Sequence, residues 1–530
     1  MSTSTATIVF TGGLDLVSPS VAKKPGHCVQ LHNYEPNTLG TYQRILGYER
    51  FDGRPSPSAY APAGAFDTDE EYEAAYIAGR ELRRAAIGAV PGSGPIRGIA
   101  VYNGTVYAFR NNAGGTAKVM FKATPTGWQV VTTPALPAGG RMDFRVASFT
   151  GAADAAELIG VDGVGQAWRF DGTTLTFITT GMVGVFPTHL EVHPVSQILF
   201  LGYPGGSLQY SEPGKPSGWD GANGAGELGL ADELVALDMQ AGGAMAVLCR
   251  NRTYLLYGAI STDFQLQDFS RQTGAIPGST QSIGEAVYLD DRGLTRLSRV
   301  QQFGNFDGAT FSQPIKPLID RQRFRVTCSG VVREKNQYRL FFDDGSGLIC
   351  TFAGSEVTGF STMSYERVVR CWVSAEIGGK EVCLFGSDDG YVYQAESGFS
   401  FDGQSYTSAM RPAFHHYGNP AQKKRFKKLT IELETAGRAN LTAVPDFDYS
   451  SPEQPTHESL AIEAVGGGGY WDEAIWDQSR WGSATVYTAE RYISGVGRSL
   501  SVLLISTSDR QPPHIIHTMI VDFIPLGRAR

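Results

Sequence analysis

Seven short phrases of one kind recur along the middle of the chain. Each couples a tight turn of Gly, Asp or Asn to a strand of alternating residues. They are Asn103-Gly104 before 105–109, Asp162-Gly163 before 167–170 and Gly205-Gly206 before 207–210. Asn251-Arg252 before 253–256, Asp291-Arg292-Gly293 before 294–297, Asp344-Gly345 before 348–350 and Asp389-Gly390 before 391–393 continue the series. Such turns supply the positive φ that two-residue hairpins require, and the alternation buries one face of each strand. The phrases are spaced at roughly 40–60 residues, the length of a blade of four short strands. A sandwich shows turn signals every ~8–12 residues without this longer beat. The spacing predicts an all-β chain with a propeller-like core of about six or seven blades over 97–400. Two stacked β-domains are the alternative.

The composition agrees. At 530 residues the chain is too long for one ordinary core. Apolar residues make up 42% and charged ones only 18%, which excludes a disordered or solvating chain. The 64 glycines are scattered rather than clustered, as many turns demand. Net charge is −8, the wrong sign for a protein that grips duplex DNA. The first ten residues carry no cationic region and no long apolar run, so no secretion signal is expected. No stretch reaches the ~20 apolar residues of a membrane span. The six cysteines never fall in a Cys-x-x-Cys spacing and read as small buried hydrophobes made in a reducing cytoplasm.

The flanks read differently. Prolines at 19, 25, 36, 55 and 57 make residues 1–60 an extended segment that contributes to the core. Residues 61–96 hold one inserted helical arm, at 67–87. Thr68 and Glu71 have capping-box spacing, acids crowd the start, and Arg80, Arg83 and Arg84 lie near the end. Tyr72, Ala75, Tyr76, Gly79, Leu82 and Ala86 are expected to share its buried face. Residues 401–530 carry alternating segments at 427–433, 499–505 and 517–523, and are expected to form a β-sandwich-like platform or tip.

Chemistry-bearing constellations are sparse. The acid pairs Asp290-Asp291, Asp343-Asp344 and Asp388-Asp389 precede or adjoin glycines, the composition of hairpin turns rather than of a glycosidase cleft. His415-His416 would point to opposite faces of a strand and cannot easily chelate one metal. No nucleophile elbow or phosphate loop is present. No catalytic residue, cofactor site or metal site is therefore assigned. Two segments stand out as interaction surfaces. One is the basic run Lys423, Lys424, Arg425, Lys427 and Lys428, with Phe426 interleaved; it suits phosphate contact or an ionic subunit contact. The other is the aromatic run Trp471, Trp476 and Trp481, suited to interface anchoring, sugar stacking or local packing.

Several phrases, in order, resemble the tail nozzle proteins of short-tailed bacteriophages. They are Gly12-Gly13-Leu14, Lys24-Pro25-Gly26, Asn33-Tyr34-Glu35 and Gly47-Tyr48-Glu49-Arg50-Phe51-Asp52-Gly53. Leu208 to Gly214 with Trp219, Asp263-Phe264, Gly274, Leu289 to Leu294, Gly418-Asn419-Pro420 to Lys428 and the tryptophan segment continue the series. The resemblance spans nearly the whole chain. It implies a non-enzymatic virion component made in a bacterial cytoplasm. In the tail it forms a homohexameric ring that extends the genome-ejection channel below the portal adaptor and gates DNA exit. The implied partners are the adaptor, tail fibres or a tail plug or needle, and DNA passing without sequence-specific binding. An acidic lumen that repels the exiting DNA would suit the net charge. The rival readings are a host-receptor-binding fibre or tip and a propeller-fold polysaccharide hydrolase.

Overall fold

The computed structural model describes residues 3–63, 66, 68–298, 300, 310–449, 458–465 and 486–526. Seven small antiparallel sheets follow one another in chain order. The first comprises Ser93–Tyr102, Thr105–Asn111 and Ala117–Lys122, with the two-residue strands Gln129–Val130 and Leu136–Pro137. The second runs through Asp143–Ser148, Ala156–Val161, Trp168–Phe170 and Leu175–Phe177. The third is His189–Val192, Leu199–Tyr203, Ser207–Tyr210 and Gly226–Gly229. The fourth is Leu234–Met239, Met245–Cys249, Thr253–Tyr257 and Gln265–Ser270. The fifth has three strands, Gln281–Ser282, Ala286–Asp290 and Gly293–Arg296. The sixth starts with Val326–Val332, Gln337–Phe342, Ser346–Ala353 and Glu356–Ser364, and the seventh with Val369–Ile377, Lys380–Ser387 and Val392–Ala395.

These sheets are the blades of a propeller. The first strand of the seventh blade, Val369–Ile377, packs beside Ser93–Tyr102 of the first, so the ring closes. Every one of the seven turn phrases falls in a different blade. In six blades the phrase joins the second strand to the third; in the first, Asn103-Gly104 joins the first to the second. Apolar side chains fill the gaps between blades: Phe109 against Trp168, Ile159 with Leu201, Phe200 with Val247, and Leu248 with Tyr288. Burial of these faces is the main stabilising term.

The last blade borrows its outer strand from the other end of the chain. Tyr48–Phe51 pairs antiparallel with Val392–Ala395, registering Tyr48 on Ala395 and Phe51 on Val392. The phrase Gly47 to Gly53 is thus the clasp of the ring. Tyr48 is buried among Tyr365, Phe385, Tyr393 and Phe401, with ring centroids 4.9–5.3 Å away. Glu49 accepts from the hydroxyls of Ser58 (2.6 Å) and Ser397 (3.1 Å), and Arg50 pairs with Asp402 at 2.9 Å. Asp52 is buried, paired with Arg54, and accepts from Gly88 N.

A β-sandwich completes the molecule, as expected, but it does not begin cleanly at 401. One of its sheets is a continuation of the sixth blade: Glu356–Ser364 leads through Cys28–His32 to Tyr406–Pro412, Leu500–Ser508, Arg438–Phe447 and Leu460–Val465. The facing sheet orders Tyr34–Pro36, Tyr42–Arg44, His514–Pro525, Lys424–Thr435 and Val486–Gly497, with Ser4–Val9 added on His514–Pro525. Ile431, Leu433, Leu441, Val502, Leu504, Met519 and Val521 lie in the core between them. Residues 1–60 therefore serve both units.

The joint between the units holds a buried ionic network. Arg339 is fully buried and pairs with Glu35 (3.1 Å) and Glu396 (2.6 Å), and Lys335 bridges the same two carboxylates. Arg339 also donates to the Tyr365 hydroxyl at 3.0 Å. Each charge has opposite charge and hydrogen bonds around it, the condition under which burial is tolerated.

The helix spans Asp69–Ala86, and Thr68 Oγ1 accepts from Glu71 N at 3.2 Å, as its sequence predicts. The packed face differs from the expected one. Tyr72, Ala75 and Tyr76 are half-buried and Gly79 is covered by the Tyr60 ring, but Leu82 and Ala86 are exposed. The reason is that the last turns are held by polar bonds: Arg80 to Glu49, Arg83 to Ser56 O and Arg84 to Asp402 O. No described helix is long and apolar enough to cross a membrane.

Candidate interaction sites

The basic run lies at the start of Lys424–Thr435, in the middle of the second sandwich sheet, and it divides in two. Lys424 is 1% exposed and donates to the main-chain oxygens of Asn419 (2.7 Å), Gln422 (2.9 Å) and Arg498 (3.3 Å). It ties two loops together and is no surface residue. Lys428 reaches Glu490 at 2.9 Å and Asp522 at 3.6 Å on the two flanking strands. Lys423, Arg425 and Lys427 are exposed and make no ion pair among the described residues. Alternation turns Lys424 and Phe426 inward and Lys423, Arg425 and Lys427 outward, and a bulge between Phe426 and Lys428 then breaks it. The extra residue lets Lys427 and Lys428 both face outward while Phe426 and Leu429 stay in the core. Beside them, across Lys428, Tyr492 is 86% exposed, and Val496 pairs with Arg425.

Trp471, Trp476 and Trp481 lie outside the described residues. The histidine pair splits between partners. His415 Nδ1 accepts from Tyr417 N (3.2 Å), and His416 Nε2 lies 2.7 Å from the Tyr449 hydroxyl. Among the described residues no group of three or more His, Cys, Asp or Glu side chains is arranged to hold a metal ion.

The acid pairs occupy hairpin turns in three different blades, each engaged by arginine. Asp290 meets Arg292 (2.8 Å) and Asp291 meets Arg250 (2.7 Å). Asp343 and Asp344 share Arg325, at 2.7 and 3.1 Å. Asp388 pairs with Arg370 (2.6 Å), whereas Asp389 pairs with Arg367 and accepts from the Tyr393 hydroxyl (2.7 Å). Two of the pairs thus split between separate arginines and the third shares one, and every carboxylate is committed to a turn ion pair.

One charged cluster escaped the sequence reading. It sits where the first strands of the second, third and fourth blades converge. Arg145 reaches Glu191 (3.0 Å), Asp143 (3.2 Å) and Leu237 O (3.4 Å), so one guanidinium spans three blades. Asp238 accepts from Gln240 Nε2 at 2.6 Å. Burial raises the Glu191 carboxyl above its usual range, against the pull of Arg145. Burial pushes Asp238 up to about 6, with Gln240 acting against the shift. Nothing local marks these residues, because only the packing of three successive blades brings 143, 145, 191 and 238 together.

The architecture is thus that of a seven-bladed propeller clasped by its own N-terminus and fused through one sheet to a sandwich. No family model and no curated protein matches the sequence. Among solved structures the chain is similar to two β-propeller proteins. BBS1N in complex with ARL6DN has a TM-score of 0.37 at 10% identity, over 58% of this chain and 94% of that one. U3-55K has a TM-score of 0.40 at 12% identity, over 59% of this chain and 98% of that one.

Proposed function

We propose that this chain is a non-enzymatic subunit of a short-tailed phage tail, a nozzle ring that extends the genome-ejection channel and carries fibres or a plug. The observation that supports the reading most is where the nozzle-like phrases fall. Leu14 of the first phrase bonds Phe360 O through its amide at 2.8 Å. Asn33 donates to Thr407 O at 2.8 Å, and Glu35 anchors the buried Arg339. Gly47 to Gly53 clasps the propeller. The phrases are the fastenings of the fold, as suits a stiff wall element rather than a turnover site. In this reading copies of the chain surround the DNA, and the lumen lies between subunits. The partners are then further copies of the chain, the portal adaptor above and fibres or a plug below.

The test is location. Electron cryomicroscopy of virions should place the propeller-plus-sandwich at the distal end of the tail, around the channel axis. A different fold in that density, with this chain elsewhere or missing, would overturn the proposal.

A further inference from the structure

Two exposed surfaces at opposite ends of the sandwich are complementary. The first is the basic end of Lys424–Thr435, where Lys423, Arg425 and Lys427 stand outward on a sheet face that is exposed there among the described residues. Tyr492 and Val496, 86% and 47% exposed, flank them on Val486–Gly497. The second is the outward stripe of the helix Asp69–Ala86. Glu70 and Glu71 are exposed in its first turn, followed at four-residue spacing by exposed Ala74, Ala78 and Leu82. Residues four apart share one helix face, so acids lead and apolar groups follow along a single line.

The two surfaces cannot meet within one molecule. Arg510 pairs with Glu73 at 3.0 Å and fixes the start of the helix near the His514 end of its strand. His514 registers with Thr435, the far end of the strand that begins at Lys424. Eleven residue steps along that strand separate the ends by about 36 Å. One end of the sandwich presents cations beside an exposed aromatic, and the other presents acids beside an exposed leucine. A helix laid on an open sheet face is a standard packing layer.

We propose that the Lys423–Arg425–Lys427 row with Tyr492 and Val496 is the seat for the helix Asp69–Ala86 of a second copy of this chain. The contact is heterologous, the kind that closes rings. The inference rests on the ring reading and names its interface. Opposite charges fix the register: with Glu70 and Glu71 at Lys423, Leu82 lies about 18 Å farther along the helix, toward Tyr492. Aromatic groups of this kind commonly anchor interfaces.

Charge exchange tests it. One variant carries K423E, R425E and K427E; another carries E70K and E71K. All five positions are exposed, so circular dichroism should show both variants folded. Sedimentation and native mass spectrometry at low salt then read association. Wild-type chain should self-associate, and each variant alone should associate at least about 100-fold more weakly, because like charges now face each other. An equimolar mixture should recover association in which the two variants alternate. Undiminished self-association of either variant, or a mixture that fails to assemble, would overturn the inference while leaving the ring reading standing. A wild-type chain that stays monomeric at low salt would also overturn it. The ring reading itself is judged separately, from virions.

Discussion

The hydroxyl of Tyr48 donates to the main-chain oxygen of Tyr365, 2.8 Å away in space and 317 residues along the chain. That bond sits inside the clasp that shuts the propeller, where four aromatic rings surround the tyrosine. The clasp should therefore be worth far more than one hydrogen bond. Tyr48→Phe should cost about 1 kcal/mol, the worth of the bond, and Tyr48→Ala about 3–5 kcal/mol through the cavity left behind. Guanidinium unfolding of the two variants measures both; an alanine variant as stable as wild type would mean the ring holds without its clasp.

The network at the joint predicts an acid limit. Burial works against charge on Glu396, yet Arg339 and Lys335 hold its carboxyl down to about 2, from an ordinary 4.5. A depressed carboxyl contributes stability that is present above 4.5 and lost as pH falls toward 2. Wild-type stability should decline through that window, and Glu396→Gln should flatten this part of the profile. Arg339→Met leaves Glu35 and Glu396 with too little opposite charge and should cost about 3–5 kcal/mol at neutral pH. Thermal melts across pH 2–7 read both effects.

Asp238 predicts the opposite slope. Its carboxyl is raised from 3.8 to about 6 by burial. A raised carboxyl binds its proton more tightly when folded, so its ionisation costs stability above pH 6 and the cost is relieved as pH falls toward 3.8. Asp238→Asn should thus stabilise the protein by about 1–2 kcal/mol at pH 7 and have little effect near pH 4. A variant less stable than wild type at pH 7 would show that the carboxylate charge is needed beside Arg145 and Gln240.

The basic run predicts a contrast between neighbours. Lys424→Ala should cost about 2–4 kcal/mol, because three main-chain oxygens lose their shared donor in a buried setting. Lys427→Ala should change the isolated subunit's stability by less than about 0.5 kcal/mol. Equal effects at the two positions would contradict the inward–outward alternation of the run.

Much of this architecture was legible in the sequence, for physical reasons. Asp-Gly and Asn-Gly turns carry their own backbone geometry, so each blade announced itself, and Thr68 marked the helix start within one residue. Partners distant in sequence carried no such mark. Tyr48–Phe51 has only four residues, and nothing in them names Val392–Ala395 as the neighbour. The same holds for Glu35 with Arg339 and for Arg145 with Glu191. Lys424 looked like its exposed neighbours because charge hides the alternation that turns it inward beside Phe426. Leu82 looked like core because the helix is fastened by arginines instead of by an apolar seam.

The central claim is that the chain forms the nozzle ring of a phage tail. Its copy number in purified virions, measured by quantitative mass spectrometry against the portal protein, tests this most directly. About six copies per twelve portal chains is the number a single hexameric ring requires. Twelve copies, a fibre-like multiple of three above six, or absence from virions would contradict the nozzle assignment.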